Sequence, residues 1–165
     1  MASGDLLAVL LPSMNEPPAT IQATMDTRNA HPVIEFDQSA DEEAVWTEYM
    51  LPYYGGGGVT LSILWTADGI ASGNVIWDAQ WELIDPNVLD IDADSFAAVQ
   101  STAAIAVPAT DGFAKETTIS FTNGAQMDSV AASTWYRLKV RRDANHASDT
   151  AAADVQILAV LAKET

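Results

Sequence analysis

Between Leu51 and Ile84 apolar residues recur at every second position in two runs. Val59, Leu61, Ile63 and Trp65 form the first; Val75, Trp77, Ala79, Trp81 and Leu83 form the second. Strict alternation places such residues on one face of an extended chain and does not fit the 3.6-residue period of a helix. The stretch is read as two half-buried β-strands. Asp68-Gly69 and Ser72-Gly73 supply turn residues, so the segment 67–73 is expected to close the runs into a hairpin at the centre of a sheet. Three of the five tryptophans share the apolar phase, which predicts that Trp65, Trp77 and Trp81 belong to the core.

The same period recurs along the chain. Short strands are expected at Leu6–Leu11, Ile21–Met25, Val33–Phe36 and Ala44–Met50. Longer ones are expected at 96–107, which is rich in alanine, and at 113–121, with Thr117, Ile119 and Phe121 on one face. Trp135–Arg142 turns Tyr136, Leu138 and Val140 inward, and 151–162 alternates at Val155, Ile157, Ala159 and Leu161. Only 123–131 has helical spacing, enough for one or two turns. Many short strands with almost no helix imply an all-β fold, an antiparallel β-sandwich of jelly-roll or immunoglobulin-like type. Proline at 12, 17, 18 and 32 interrupts the first part of the chain. Residues 1–32 are therefore read as an extended N-terminal arm on a sandwich of residues 33–165, with packing at a sheet edge as the alternative.

A chain of 165 residues suits one domain with its own core. It has no cysteine, which excludes disulfides and thiolate chemistry. Its formal net charge of −16 repels phosphate backbones, so no direct nucleic-acid partner is expected. The apolar run after Asp5 has no basic residue before it and is far short of the roughly 20 residues of a membrane-spanning helix. No signal peptide and no membrane partner are expected.

Catalytic signatures do not emerge, and the chain is read as a non-enzyme without cofactor or metal. Gly55–Gly58 could cradle a phosphate, but it leads into a strand and lacks the Gly-Lys-Ser/Thr continuation. Asp90-Ile91-Asp92-Ala93-Asp94 begins like a calcium loop but has serine at the sixth and twelfth positions, Ser95 and Ser101. His31 and His146 have no zinc spacing. Asp78 and Glu82 share the polar face of a tryptophan-rich strand and are the best carboxylate pair for glycoside hydrolysis. Four of the seven basic residues lie at 137–142, and Arg137, Lys139 and Arg141 share one face. That stripe needs carboxylate partners, either in a cross-strand ladder within the chain or on a docking partner.

Asn15-Glu16-Pro17-Pro18-Ala19-Thr20, Thr27-Arg28-Asn29-Ala30-His31-Pro32, Ser72-Gly73-Asn74-Val75-Ile76-Trp77-Asp78 and Arg142-Asp143-Ala144-Asn145 with Ser148-Asp149-Thr150 resemble a family of tailed-bacteriophage and prophage structural proteins. The resemblance runs over nearly the whole chain and implies a β-sandwich virion protein. It is similar to capsid cement (decoration) proteins, which implies a homotrimer on the capsid surface with the major capsid protein as partner, made in the host cytoplasm. The interface expected on this reading comprises Leu6, Leu7, Val9 and Leu11 of the arm, Arg28 and His31 at its end, and the stripe Arg137, Lys139 and Arg141. The alternative function is a tail-fibre receptor- or carbohydrate-binding module, which exposed aromatics beside polar residues would favour and buried tryptophans would oppose. A hydrolase on the same fold is the third possibility.

Overall fold

The structure, a computed structural model, describes residues 2–69 and 72–165. Ile70 and Ala71, within the expected turn, lie outside the described residues. The described residues form twelve strands: β1 Leu6–Leu10, β2 Thr24–Arg28, β3 His31–Phe36, β4 Glu43–Tyr49, β5 Val59–Ala67, β6 Asn74–Val75, β7 Trp77–Ile84, β8 Gln100–Ser101, β9 Ile105–Ala106, β10 Lys115–Phe121, β11 Trp135–Arg142 and β12 Val155–Glu164. Single 3-10 turns at Pro12–Met14 and Ala125–Met127 complete the elements. The fold is an antiparallel, jelly-roll-like β-sandwich. One sheet has the order β10-β5-β12-β3-β2, with β1 also paired to β12; a second runs β4-β11-β7-β8, and β6 pairs with β9 in a two-stranded ribbon.

The apolar phase of each strand fills the space between the sheets. Trp65 meets Trp77 edge to face at 5.8 Å, Trp77 meets Phe36 at 5.2 Å, and Trp81 packs on Phe121 and Tyr136. Trp46, Trp65, Trp77 and Trp81 are all buried, as the apolar phase predicts for the last three. The expected hairpin is corrected, however. β5 belongs to the six-stranded sheet and β7 to the four-stranded sheet, so the two runs face each other across the core. Period-two patterning specifies which face is buried and not which strand is the neighbour.

Three further expectations change. The stretch 96–107 is a loop carrying only the two-residue strands β8 and β9, because alanine neither favours strands nor distinguishes one face from the other. In β12 a bulge at Leu158 shifts the register between Ile157 and Ala159. The inward residues beyond it are Val160 and Ala162, in place of Ala159 and Leu161. The break at 28–32 is a tight hairpin: Asn29 and Ala30 both have positive φ (47° and 62°), and Arg28 pairs with His31. Two left-handed residues in a two-residue loop match the twist of the flanking strands.

The described part of the expected arm, residues 2–32, is bound to the sandwich. Leu6–Leu10 pairs antiparallel with β12, from Leu6–Lys163 to Leu10–Val160, and Leu7 and Leu10 are buried. The following segment runs beside β4, where Glu16 N–H donates to the Val45 carbonyl and Asn15 Oδ1 accepts from Val45 N–H. The Trp46 indole N–H donates to the Leu11 carbonyl. β1 thus finds its strand partner within its own chain, as in the sheet-edge alternative and not as a free arm.

Two buried polar locks hold the loops. The Arg142 guanidinium forms a double contact with the Asp149 carboxylate (Nη2–Oδ1 2.8 Å, Nε–Oδ2 3.2 Å) and donates to the carbonyls of Asp37, Ala151 and Ala153. At the other end, Gly55 and Gly57 N–H groups donate to Glu164 Oε1. The glycine run therefore clasps a carboxylate of its own chain. Gly58 has φ +95°, and a Cβ there would lie 2.4 Å from the Phe121 carbonyl oxygen.

Candidate functional site

The outward face of the four-stranded sheet is built in rows, because antiparallel register aligns alternate residues of β4, β11 and β7. The first row is Tyr49, Trp135 and Ile84. The next are Thr47, Arg137 and Glu82; then Val45, Lys139 and Gln80; then Glu43, Arg141 and Asp78. The last three rows resolve the basic stripe. Arg137 pairs with Glu82 at 2.8 Å and Lys139 with Glu43 at 3.1 Å; Arg141 binds Asp78 and reaches Asp41 at 3.7 Å. The stripe is a cross-strand ladder within the chain. Phe96, from the loop after β7, lies over it, with its ring centroid 5.1 Å from the Arg137 guanidinium and 4.5 Å from Lys139 Nζ.

This ladder also accounts for Asp78 and Glu82. Each carboxylate is buried against an arginine. Burial pushes the Glu82 carboxyl above the usual range, and Arg137 acts against that rise. Asp94 and Asp128 add like charge around Glu82.

The first row differs from the others. Trp135 is 47% exposed and Tyr49 38% exposed, although the other four tryptophans are buried. Their rings meet edge to face, 5.0 Å apart at 63°. One two-residue step along the strands, about 7 Å, separates them from Thr47, Arg137 and Glu82. Thr47 Oγ1 donates to Glu16 Oε2 at 2.7 Å, which brings the segment after β1 to the rim of this face. An accessible aromatic surface thus adjoins hydrogen-bonding groups. The sequence signal for Trp135 is an aromatic in the charged phase of its strand, in register with Arg137, Lys139 and Arg141.

The remaining expected site residues lie elsewhere. Leu7 is buried in the core of its own chain and is not part of an exposed interface, a correction that follows from the pairing of β1 with β12. Leu6, Val9 and Leu11 are exposed on the outer face of the six-stranded sheet, together with Leu64. Arg28 and His31 line a cavity of about 300 Å³ with Val33, Thr66, Ala114 and Leu158. Arg28 is occupied there: it donates to the Ala67 carbonyl, Gln156 Oε1 and Asp111 Oδ1, and its hydrogen bond holds the Asp111 carboxyl below the usual range. Asp90–Asp94 is an exposed turn in which the Asp90 carbonyl accepts from Ala93 and Asp94 N–H. Among the described residues no group of three or more His, Cys, Asp or Glu side chains is arranged to hold a metal.

No family model matches the chain, and no curated protein matches it. Solved structures do. The CBM22-2 xylan-binding domain from Paenibacillus barcinonensis Xyn10C superposes with a TM-score of 0.52 at 14% identity, over 96% of this chain and 99% of that domain. The Clostridium thermocellum endo-1,4-beta-D-xylanase 10B CBM22-1–GH10 structure, complexed with xylohexaose, gives 0.49 at 16% identity over 99% of this chain. This chain spans 28% of that one. A family 35 carbohydrate-binding module from an environmental isolate gives 0.47 at 9% identity, over 94% and 92% of the two chains. At such identities the Paenibacillus likeness shows a shared β-sandwich fold.

Proposed function

We propose that this chain is a non-catalytic glycan-binding module, with its ligand on the Tyr49–Trp135 end of the four-stranded sheet. The observation that carries this reading is the exposed aromatic pair one row from Thr47, Arg137 and Glu82. A pyranose has an apolar C–H face that sits on an indole ring, while its hydroxyls need donors and acceptors at the ring's edge. The burial of Trp65, Trp77 and Trp81, as expected, counts against a groove built from them, whereas the exposed Trp135 and Tyr49 count for one. The carbohydrate-binding names of the fold's neighbours agree with this choice. Asp78 and Glu82 are each tied to an arginine, so this carboxylate pair is not free for hydrolysis. The resemblance to phage structural proteins would place such a module on a virion, where it would meet host-surface sugars. The test is calorimetric titration with soluble oligosaccharides. Binding that Trp135→Ala abolishes supports the reading, and binding unaffected by that change refutes it.

One observation favours a second reading, the capsid cement protein bound to the major capsid protein as a homotrimer. Leu6 and Val9 on β1 and Leu64 on β5 are exposed large apolar residues of the opposite sheet, and Leu11 is exposed just beyond β1. Exposed apolar residues of this kind on a chain of net charge −16 suit a protein-facing surface. Light scattering tests it: a trimer that Val9→Glu dissociates supports the reading, and a monomer at high concentration refutes the homotrimer.

A further inference from the structure

The charge arrangement of the aromatic end goes further and bears on the class of glycan; the argument rests on the glycan-binding reading. Every cation on the outward face already has an acidic partner. Arg137, Lys139 and Arg141 are matched by Glu82, Glu43, Asp78 and Asp41, three positive against four negative groups. Phe96 covers Arg137 and Lys139 as well. Among the described residues the remaining cations lie elsewhere: Arg28, Lys115 and Lys163 on strands of the six-stranded sheet, and Arg142 buried on Asp149. Meanwhile Glu16 stands exposed at the rim beside Thr47. Glu48, between Thr47 and Tyr49 on β4, is in the opposite phase of the strand, level with Tyr136, and its carboxyl is raised chiefly by burial and further by the charge of Glu16. A carboxylate or sulfate brought onto Trp135 would meet an excess of like charge with no free cation to offset its desolvation.

The shape of the pair is a second constraint. Rings inclined at 63° cannot lie together on one flat surface. They leave a stepped platform that fits a short stretch or an end of a single chain and not the plane of a crystalline polymer.

We propose that the Tyr49–Trp135 site selects neutral, soluble glycan chains and rejects anionic ones. The neutral ligand stacks a pyranose face on Trp135 and takes hydrogen bonds from the edge of Arg137 that Glu82 leaves open. Glu82 engages Nη1 of Arg137, and among the described residues no side-chain acceptor takes its Nε or Nη2. Acceptance of hydroxyls without acceptance of carboxylates is the chemical signature of this arrangement.

The experiment is a matched panel titrated onto the full chain: xylohexaose and mannohexaose as neutral probes, oligogalacturonate and sialyllactose as anionic probes, and microcrystalline cellulose in a pull-down. The expected result is neutral binding at least about tenfold tighter than anionic binding, with no retention on the crystalline polymer. Removing the compensating charge must shift that ratio. Glu82→Gln frees the Arg137 guanidinium, and Glu16→Lys reverses the rim charge without touching the core. Either is expected to narrow the neutral-to-anionic ratio by about threefold or more. Anionic probes that bind as tightly as neutral ones through Trp135, or a ratio that neither variant moves, overturn the selectivity while the glycan-binding reading stands. Failure of every probe to bind overturns the reading itself and the selectivity with it.

Discussion

Changing Asp149 to asparagine should be among the most costly single substitutions in this protein, although it keeps the shape of the side chain. The Arg142–Asp149 pair is withdrawn from water, with side chains 0% and 1% exposed. Asparagine still accepts a hydrogen bond but leaves the guanidinium charge without a counter-ion. Breaking a buried pair from one side costs about 3–5 kcal/mol. Here the loss propagates, because Asp149 Oδ2 also accepts from Ile76 N–H and Arg142 holds the carbonyls of Asp37, Ala151 and Ala153. Three loops therefore lose a shared anchor. Against a typical domain stability of about 5–15 kcal/mol, this is a large fraction. For a chain of this size it corresponds to a fall in Tm of roughly 6–20 °C. Urea titration followed by tryptophan emission measures it directly, since four of the five indoles are in the core. Because the pair is buried, the loss should persist at high ionic strength. A loss below about 1 kcal/mol, or one that salt erases, would mean that the pair behaves as a surface contact and that the reasoning is wrong.

Other outcomes follow from the same geometry. Trp77→Ala should destabilise by about 3–5 kcal/mol through loss of a buried indole packed on Phe36 and Trp65, whereas Trp135→Ala should cost only about 1 kcal/mol in chemical denaturation. Gly58→Ala forces a Cβ against the Phe121 carbonyl at positive φ and should lower the urea midpoint sharply, while Gly69→Ala, with open space, should cost only the strain of its φ. Removal of residues 1–32 should unfold the domain by circular dichroism, because β12 would lose β1 and the core would lose Leu7 and Leu10; a folded truncate would restore the arm. Glu42 is raised above 4.5 chiefly by burial and also by Asp37, Asp154 and Glu35. A carboxyl raised in the folded state contributes stability below its unfolded pKa and loses it as pH rises through the folded value. Glu42→Gln should therefore gain on the wild type above about pH 5 and converge with it below about pH 4, read as the difference between the two urea midpoints across that window.

Most of the strands were legible because one face of each is buried and the other is not. β10 and β11 show this directly, and so does the ladder on β11, whose basic residues and their partners Asp78 and Glu82 all occupy polar phases. Pairing was not legible. Nothing in the alternation of β5 or β7 tells whether they are neighbours in one sheet or opposed across the core. The bulge at Leu158 was hidden for a related reason, since both phases of β12 contain aliphatic residues and either could be turned inward. The candidate site was missed at Trp135 because a tryptophan in a β-rich chain is expected in the core, and exposure depends on which residues of other strands cover it. Leu6–Leu10 was misplaced because the prolines that follow it argue against a local hairpin, whereas its partner is the last strand of the chain.

That last pairing governs how the protein is made. β12 is an interior strand of the six-stranded sheet, bonded to β5 on one side and to β3 and β1 on the other. During synthesis β1, β3 and β5 emerge early, yet the strand that joins them does not exist until residues 155–164 leave the ribosome. Until then their edges and apolar faces stay open, and chaperones would compete for them with neighbouring nascent chains. Assembly of the sheet consequently waits on β12 and is dominated by distant pairings, a topology associated with folding in milliseconds to seconds.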